Sequence, residues 1–323
     1  MTTATRYRAG LHRYAVAVAA CTVALVFAGG LVTSTGSGLS VPDWPLSFGQ
    51  VMPVMRGGVF FEHGHRMIAT TVGLLTIGLT AWLLRRETRG WVRRLGVAAL
   101  ALVVAQGLLG GLTVLLKLPL GASVAHAGTA ELFLCVTVAL ALVTSRGWIE
   151  SPTPAAGPDG GAPTVRSLAT ATVAVVYGQV LLGALVRHSG AGLAIPDFPL
   201  AYGRLVPPLD SPLVAYHFAH RVGALVASTC IVWLAARLLR EHGDVAPLRR
   251  PALLLVVLLA LQILLGALTI WSRKAVIPTT LHLLTGASIL ATTVVVALRT
   301  RRLLAPAPAA AAGEPALVGS TAA

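Results

Sequence analysis

The chain is organised by long, continuous runs of apolar residues that are separated by short polar connections. Each of eight runs is long enough to form a helix of about 20 residues, the length that crosses the hydrocarbon core of a membrane. The runs do not alternate between apolar and polar positions, as the strands of a membrane β-barrel do. They cover residues 12–33, 60–84, 92–116, 121–145, 166–187, 212–239, 250–272 and 277–299. The pattern predicts an all-α integral membrane protein, an eight-transmembrane-helix bundle.

Composition and charge agree with this prediction and add a topology. Only 11% of the residues are charged, against about 25% in soluble domains. The net charge of +14 does not indicate a nucleic-acid partner, because 17 of the 25 basic residues lie at alternate connections between the apolar runs. This placement is typical of cytoplasmic connections. It predicts a multi-pass protein of the cell membrane whose N- and C-termini are both cytoplasmic.

Two connections on the opposite side are nearly the same. GSGLSVPDWPLSFGQ (36–50) and GAGLAIPDFPLAYGR (190–204) begin 154 positions apart. Two prolines in each exclude a helix interior, so both are predicted to be shaped outer loops. Within them, Asp43 and Asp197 are predicted to brace a turn. Trp44 and Phe198 are predicted to pack on a porphyrin or to lie in the aromatic belt at the membrane surface.

A shorter phrase, Gln-x-x-x-Gly, recurs within the helices at Gln106, Gln179 and Gln262, with a weaker echo around Gly29. We interpret these glutamines as interhelical packing residues. The repeats predict two tandem, parallel four-helix units, residues 1–149 and 166–303. Residues 150–165 have the composition of a flexible cytoplasmic linker, and residues 304–323 that of a disordered cytoplasmic tail.

Four histidines recur at one depth, near the predicted outer ends of the even-numbered helices. His65 and His220 are each followed by arginine, and His126 and His282 are 156 positions apart. Ionisable groups inside a membrane are costly and face the bundle interior. Imidazole suits several transition metals, and two histidines without a third ligand suit a haem iron held from both faces. The spacing predicts two haems near the outer face, each between the second and fourth helices of one half.

The two predicted sites differ in chemistry. Glu62 lies three residues before His65 and shares its helical face, whereas His217 stands at the corresponding position of the second half. Glu62 is a candidate proton acceptor or polar anchor for a reacting group; the alternative is an interfacial residue near a helix N-terminus. Arg66 and Arg221 are candidates for binding haem propionates, or for reaching the lipid headgroups.

Taken together, the two loops, Glu62-x-x-His65-Arg66 and the later histidines resemble the heme A synthase family over roughly residues 11–303. The resemblance implies oxidation of the C8 methyl group of haem O to the formyl group of haem A by successive hydroxylations. It implies that His65 and His126 face the substrate haem O, with Glu62 beside it. It also implies that His220 and His282 ligate a haem B cofactor.

The resemblance also implies partners, and the chain departs from the family pattern in its outer loops. Haem O synthase and the assembly of an aa3-type terminal oxidase are the expected partners, with an unknown electron donor, in a surrounding of membrane lipid. Many bacterial members carry a cysteine pair in the first outer loop, where this chain has Val41 and Ser47; the second loop has Ile195 and Ala201. A disulfide within either loop is therefore impossible here. His63 is an additional histidine beside the expected ligand His65.

Two other functional classes stay open at this point. A dihaem b-type protein could pass electrons between quinol and a partner, and it would need the four histidines but no carboxylate at a reactive edge. A haem carrier or exporter would bind haem transiently and leave it unchanged. The presence of Glu62 in only one half favours an asymmetric, reactive site over both alternatives.

Overall fold

The computed structural model describes residues 6–150, 156–159 and 161–305. Within this part of the chain, eight helices are long and apolar enough to cross a membrane. They are α1 (Ala9–Ser34), α2 (Gly58–Arg86), α3 (Gly90–Leu115), α4 (Leu120–Val143), α5 (Val165–His188), α6 (Pro212–Glu241), α7 (Ala246–Trp271) and α8 (Val276–Leu303). The prediction of an eight-helix, all-α membrane protein is confirmed.

Each half of the chain forms a ring of four helices. In the first half α1 and α3 both pack against α2 and α4, and in the second half α5 and α7 both pack against α6 and α8. The second and fourth helices of each half therefore lie diagonally opposite one another across their ring. The halves have separate buried cores, around Leu79 and Leu140 in the first and around Leu234 and Leu255 in the second.

The two rings meet through α1 and α4 of the first half and α5 and α8 of the second. Polar contacts cross this seam near one end. Nη2 of Arg187 donates to the carbonyl oxygen of Gly30 at 2.7 Å and to Oγ of Ser34 at 2.9 Å. The hydroxyl of Thr280 donates to the same Ser34 oxygen at 2.9 Å. The matching packing within the two rings favours the predicted tandem repeat.

The predicted linker and tail fall partly outside the described residues, which exclude 151–155, 160 and 306–323. The described part of the linker makes ordered contacts. A short strand, β1 (Ala156–Pro158), pairs in parallel with β2 (Leu304–Ala305). The carboxylate of Asp159 accepts the N–H groups of Val165 and Arg166 at 2.8 and 3.0 Å. Asp159 thereby satisfies free donors at the start of α5. The domain boundaries stay predictions.

The two repeated loops lie at one end of the bundle, here called the loop end, between α1 and α2 and between α5 and α6. In the first, the Asp43 carboxylate accepts the N–H of Phe48 at 2.7 Å and of Gly49 at 2.8 Å. These donors, Gly49 foremost, hold the pKa of Asp43 below its usual range. The second loop repeats both contacts, from Tyr202 and Gly203 to Asp197, each at 2.8 Å. The predicted turn-bracing role is confirmed for both aspartates.

The distribution of thiols allows a direct test of the topology. All three cysteines are free and lie within helices, Cys21 in α1, Cys135 in α4 and Cys230 in α6. Val51, beside the first loop, is 81% exposed. We expect an impermeant maleimide to leave the wild-type protein unlabelled from both sides of the membrane. It should label Val51→Cys from the outer side only. Labelling of that variant solely from the cytoplasmic side would reverse the predicted orientation.

Candidate functional site

Each of the four predicted histidine ligands lies against a glycine of the helix that precedes its own. A Cβ atom built on the glycine would approach Cε1 of the imidazole more closely than most real Cβ contacts allow. The distances would be 3.1 Å for Gly29 and His65, 3.3 Å for Gly110 and His126, 3.1 Å for Gly183 and His220, and 3.1 Å for Gly266 and His282. Because each of these glycines has no side chain, the imidazole can enter the seam between its own helix and the preceding one.

The packing of the helices is compatible with the predicted histidine pairs. His65 and His126 lie on the second and fourth helices of the first ring, and His220 and His282 on the second and fourth helices of the second ring. Each pair comes from diagonally opposite helices of one ring. All four histidines are half-buried residues near the loop end of their helices.

The donor set fits a haem better than an isolated metal ion. Structural zinc sites use four protein ligands and catalytic ones three. Within the described residues, no group of three or more histidine, cysteine, aspartate or glutamate side chains could hold a metal ion. A haem iron can take two imidazole ligands from the protein, and each ring of helices carries two candidate histidines. The residues present therefore fit the predicted group in both halves.

The imidazoles of the second half are fixed by hydrogen bonds. Nε2 of Gln179 lies 2.9 Å from Nδ1 of His220 and donates to the carbonyl oxygen of the same residue at 2.9 Å. Nδ1 of His282 lies 3.1 Å from the carbonyl oxygen of Gln262. The side-chain amide of Gln262 also lies 3.4 Å from Nε2 of His282. Both rings are thus held by the helix that precedes their own.

The imidazoles of the first half lack this support. Gln106 donates to the carbonyl oxygen of His126 at 2.8 Å and not to its ring. Nδ1 of His65 and Nδ1 of His126 are both buried, and among the described residues neither has a hydrogen-bond partner. Sequence reasoning assigned the glutamines to helix packing, and it missed their contacts with the histidines.

Glu62 and His217 occupy the same place in the two halves. Glu62 is 4% exposed, and its Oε2 accepts the backbone N–H of Val41 at 2.9 Å. Nδ1 of His217 accepts the backbone N–H of Ile195 at 3.2 Å. Val41 and Ile195 are equivalent loop positions, each fully buried and followed by proline. Each half thus anchors its loop to an acceptor on the helix below, and only the first half uses a carboxylate.

The arginines that follow the histidines also hold the loops. Nη1 of Arg66 donates to the carbonyl oxygens of Asp43 and Leu46 at 2.8 and 2.9 Å, and its Nη2 forms a 2.7 Å ion pair with Glu62. Arg221 donates to the carbonyl oxygens of Leu200 and Asp197 at 2.8 and 2.6 Å. These contacts were not foreseen from the sequence. The expected contacts with haem propionates stay predictions for both arginines.

His63 belongs to the loop and not to the histidine pair. Its Nδ1 lies 2.8 Å from Oγ of Ser47, whereas the neighbouring His65 faces Gly29. This contact supports His65 over His63 as the ligand. Trp44 of the same loop packs so closely on α3 that a Cβ on Gly111 would lie 2.6 Å from its indole ring. In the second loop, Phe198 packs edge-on against Trp271 of α7 at 6.2 Å.

The fold and the site define a class of protein: a multi-pass membrane protein in which two rings of four helices each present a diagonal pair of histidines beneath a braced loop. Among known families, the model of the cytochrome oxidase assembly protein family matches residues 12–295. The chain belongs to this family.

Curated relatives carry a more specific name. The chain is 35% identical over 265 residues to the heme A synthase of Symbiobacterium thermophilum, covering 80% of this chain and 85% of that protein. It is 28% identical over 277 residues to the heme A synthase of Alkalihalophilus pseudofirmus, covering 85% and 92%. For the heme A synthase of Halalkalibacterium halodurans the identity is 30% over 251 residues, covering 76% and 81%. The resemblance drawn from the motifs is confirmed.

The glycine contacts predict a selective effect of added side chains. Gly183→Leu should displace the ring of His220 and remove most of the haem that copurifies with the second half. Gly178→Leu, in the same helix, is the matched control, because a Cβ there would meet nothing within 4 Å. The measurement is haem absorbance per mole of purified, folded protein. Equal haem content in the two variants would contradict the proposed ring position.

Proposed function

We propose that the chain is a heme A synthase, an oxidoreductase that converts the C8 methyl group of haem O to the formyl group of haem A by successive hydroxylations. Membership of the cytochrome oxidase assembly protein family and the names of the relatives support this function. The observation that carries it is the asymmetry of the two sites, since one histidine pair has a buried carboxylate nearby and the other has an imidazole. The haem A would serve a haem-copper oxidase of the aa3 type.

We assign the substrate to the first half and the cofactor to the second. Haem O would lie between His65 and His126, and a resident haem B between His220 and His282. Hydrogen-bonded rings in the second half and ring nitrogens without partners in the first support this assignment. A resident group benefits from fixed ligands, whereas a substrate must enter and leave. When bound, haem B supplies redox chemistry that side chains lack.

Glu62 is the residue placed to act on the substrate. It lies one helical turn from His65 on the same face of α2. The amide of Val41 and the guanidinium of Arg66 fix both of its oxygens, so the carboxylate keeps one orientation beneath the loop. A fixed carboxylate can accept a proton from a reacting group or hold a polar intermediate in place. The loop above it would exclude water and act as a lid over the haem edge.

The location and partners follow from the same assignment. The chain would lie in the cell membrane with both termini cytoplasmic, because the arginine-rich connections are at the end opposite the loops. The histidines would then lie near the outer face. A haem O synthase must supply the substrate, and assembly of an aa3-type oxidase must consume the product. Each hydroxylation oxidises the C8 carbon and so requires an external oxidant, with an electron donor where that oxidant must first be reduced; the gem-diol formed by the second hydroxylation loses water to leave the formyl group.

The cofactor assignment predicts a spectroscopic loss. The His220–His282 pair should give a low-spin, six-coordinate haem B that survives purification. His282→Ala removes one axial ligand, so the low-spin spectrum of this haem should disappear. The same change at His220 should have the same effect. Retention of the full low-spin signal in both single variants would show that another pair holds the haem.

The catalytic assignment predicts that Glu62→Gln stops conversion while haem B stays bound. General acid–base groups contribute about 10²–10⁴-fold in rate, so haem O or a hydroxylated intermediate should accumulate in extracted pigments in place of haem A. Separation of haems B, O and A by chromatography measures this directly. A wild-type protein that contains haem B and never forms haem A would instead favour the dihaem electron-transfer alternative.

Two control variants separate catalysis from loop anchoring, because Glu62 does both. Glu62→His copies the arrangement of His217, which accepts a loop amide with an imidazole; it should keep the loop in place and still lose haem A formation. His217→Gln changes the anchor of the other loop and should leave haem A formation largely intact. Wild-type haem A levels in Glu62→His would show that Glu62 has only a structural role.

A further inference from the structure

The ring of His220 is held by a matched pair of residues that the first half lacks. Gln179 on α5 lies four residues before Gly183, and its amide meets the His220 ring. Gly223 on α6 makes room for it, since a Cβ there would lie 2.2 Å from Oε1 of Gln179. In the first half the corresponding positions, four residues before Gly29 and three after His65, are Leu25 and Ile68.

We propose that Gln179 is a positioning residue that retains the haem of the second half, and that Leu25 at the corresponding position lets the first half exchange its haem. This inference rests on the proposed assignment of cofactor and substrate to the two halves. It concerns Nδ1 of the histidines, the ring nitrogen that would face away from a haem bound through Nε2. It therefore adds a role for α1 and α5, which carry none of the four histidines.

The chemistry of histidine ligands explains why the contact matters. A histidine that binds a metal through Nε2 carries its proton on Nδ1, and a partner at Nδ1 fixes the ring orientation and raises its basicity. The side-chain amide of Gln179 lies 2.9 Å from Nδ1 of His220, and its Oε1 is buried without another hydrogen bond. An amide presents an oxygen or a nitrogen on rotation. As placed, the amide nitrogen of Gln179 donates to the ring and to the carbonyl oxygen of His220. Rotation of the amide gives up the bond to that carbonyl and lets Oε1 accept the Nδ1 proton when Nε2 is bound.

The partner ligand of the same half is held in an equivalent way by the backbone. Nδ1 of His282 lies 3.1 Å from the carbonyl oxygen of Gln262. Because a carbonyl oxygen only accepts, this contact places the proton on Nδ1 and makes Nε2 the acceptor nitrogen of the ring. In the structure Nε2 lies 3.4 Å from the side-chain amide of Gln262, which would give way to a bound iron. The contact as placed sets this tautomer for His282, and His220 reaches the same tautomer when the amide of Gln179 rotates.

The seam between α1 and α2 is apolar at the positions that correspond to Gln179 and Gly223. At those positions the seam between α5 and α6 carries a polar side chain. Leu25 and Ile68 belong to the apolar cluster at the centre of the first half. The carbonyl oxygen of Leu25 faces His65, but Nδ1 of His65 has no partner in hydrogen-bonding geometry among the described residues. The ring packs against Gly29 and has no side-chain hydrogen-bond partner at Nδ1 among the described residues. A ligand held in this way binds iron less strongly and releases it sooner.

The first test removes the contact from the second half. Gln179→Leu should release haem B to apomyoglobin roughly 10–100-fold faster than the wild type, the usual cost of losing an outer partner of a metal ligand. The midpoint potential of haem B should rise, because a less basic imidazole stabilises ferric iron less. Gln179→Glu keeps an oxygen acceptor at this position and should restore slow release.

Gln106→Leu is the matched control for the general effect of losing an interhelical glutamine. Gln106 bonds to the backbone carbonyl of His126 and not to its ring, so both the potential and the release rate of haem B should stay at wild-type values. If Gln179→Leu also keeps wild-type values for both, the positioning role is overturned. Haem A formation is read separately from extracted pigments, so failure of this inference leaves the proposed function intact.

The second test transfers the contact to the first half. Leu25→Gln combined with Ile68→Gly reproduces the pair formed by Gln179 and Gly223. The variant should copurify with more haem O or haem A than the wild type and should release it more slowly to apomyoglobin. The low-spin spectrum of haem B reports whether the variant is folded. A folded variant with unchanged release would overturn the proposed basis of exchange.

Discussion

The position of the four imidazoles depends on four glycines, because none of them has a Cβ atom that would displace the neighbouring ring. Two histidines can meet a flat group from both faces only if their helices stand diagonally across a ring and the rings of the side chains reach inward at matched depth. At each site a glycine on the neighbouring helix leaves the space that the imidazole occupies, and a single added Cβ would approach it to 3.1–3.3 Å. Interiors are close-packed and transmit such displacements. The depth of each histidine, and hence the geometry of both sites, is set by these contacts.

The loops above the sites show how the duplicated fold tolerates different chemistry. Each loop needs one buried acceptor for the amide before its proline, and a carboxylate in one half and an imidazole in the other both provide it. A buried carboxylate is costly unless it is paired. Here Arg66 and the loop amide satisfy Glu62, and Arg66 is needed for the loop carbonyls in any case. A reactive group could therefore enter one half without a change in the fold.

Some of this architecture could be predicted from the sequence. The eight helices follow from run length, because no other structure satisfies the backbone of so long an apolar segment within a membrane. The aspartate turns follow from local chemistry, since the donors of Phe48 and Gly49 are five and six residues from Asp43. The histidines stand out because ionisable groups are rare in apolar helices. In each case the signal is local.

The contacts that were missed join residues far apart in the chain or involve backbone atoms. Gly183 and His220 are 37 positions apart, and nothing in either segment alone indicates that they meet. The carbonyl oxygens that bind Arg66 and Arg221 have no side chain and leave no mark on the sequence. One signal was present: Gly110 precedes His126, and Gly266 precedes His282, by the same 16 positions. Equal spacing in both halves indicates a contact that the duplication preserved.

An enzyme that holds two chemically similar groups must bind them with different lifetimes. Among related complexes, differences in affinity are expressed mostly in the rate of dissociation, so a product held as firmly as the cofactor would block its own site. The glycine contacts and the diagonal arrangement of the helices cannot cause a difference in the lifetimes of the two bound groups, because both halves share them. Under the proposed assignment, the difference in lifetime comes from residues behind the histidines, where Gln179 and Gly223 in one seam correspond to Leu25 and Ile68 in the other. Both pairs fill the space between adjacent helices, so the lifetime of the bound group can change while the fold remains the same.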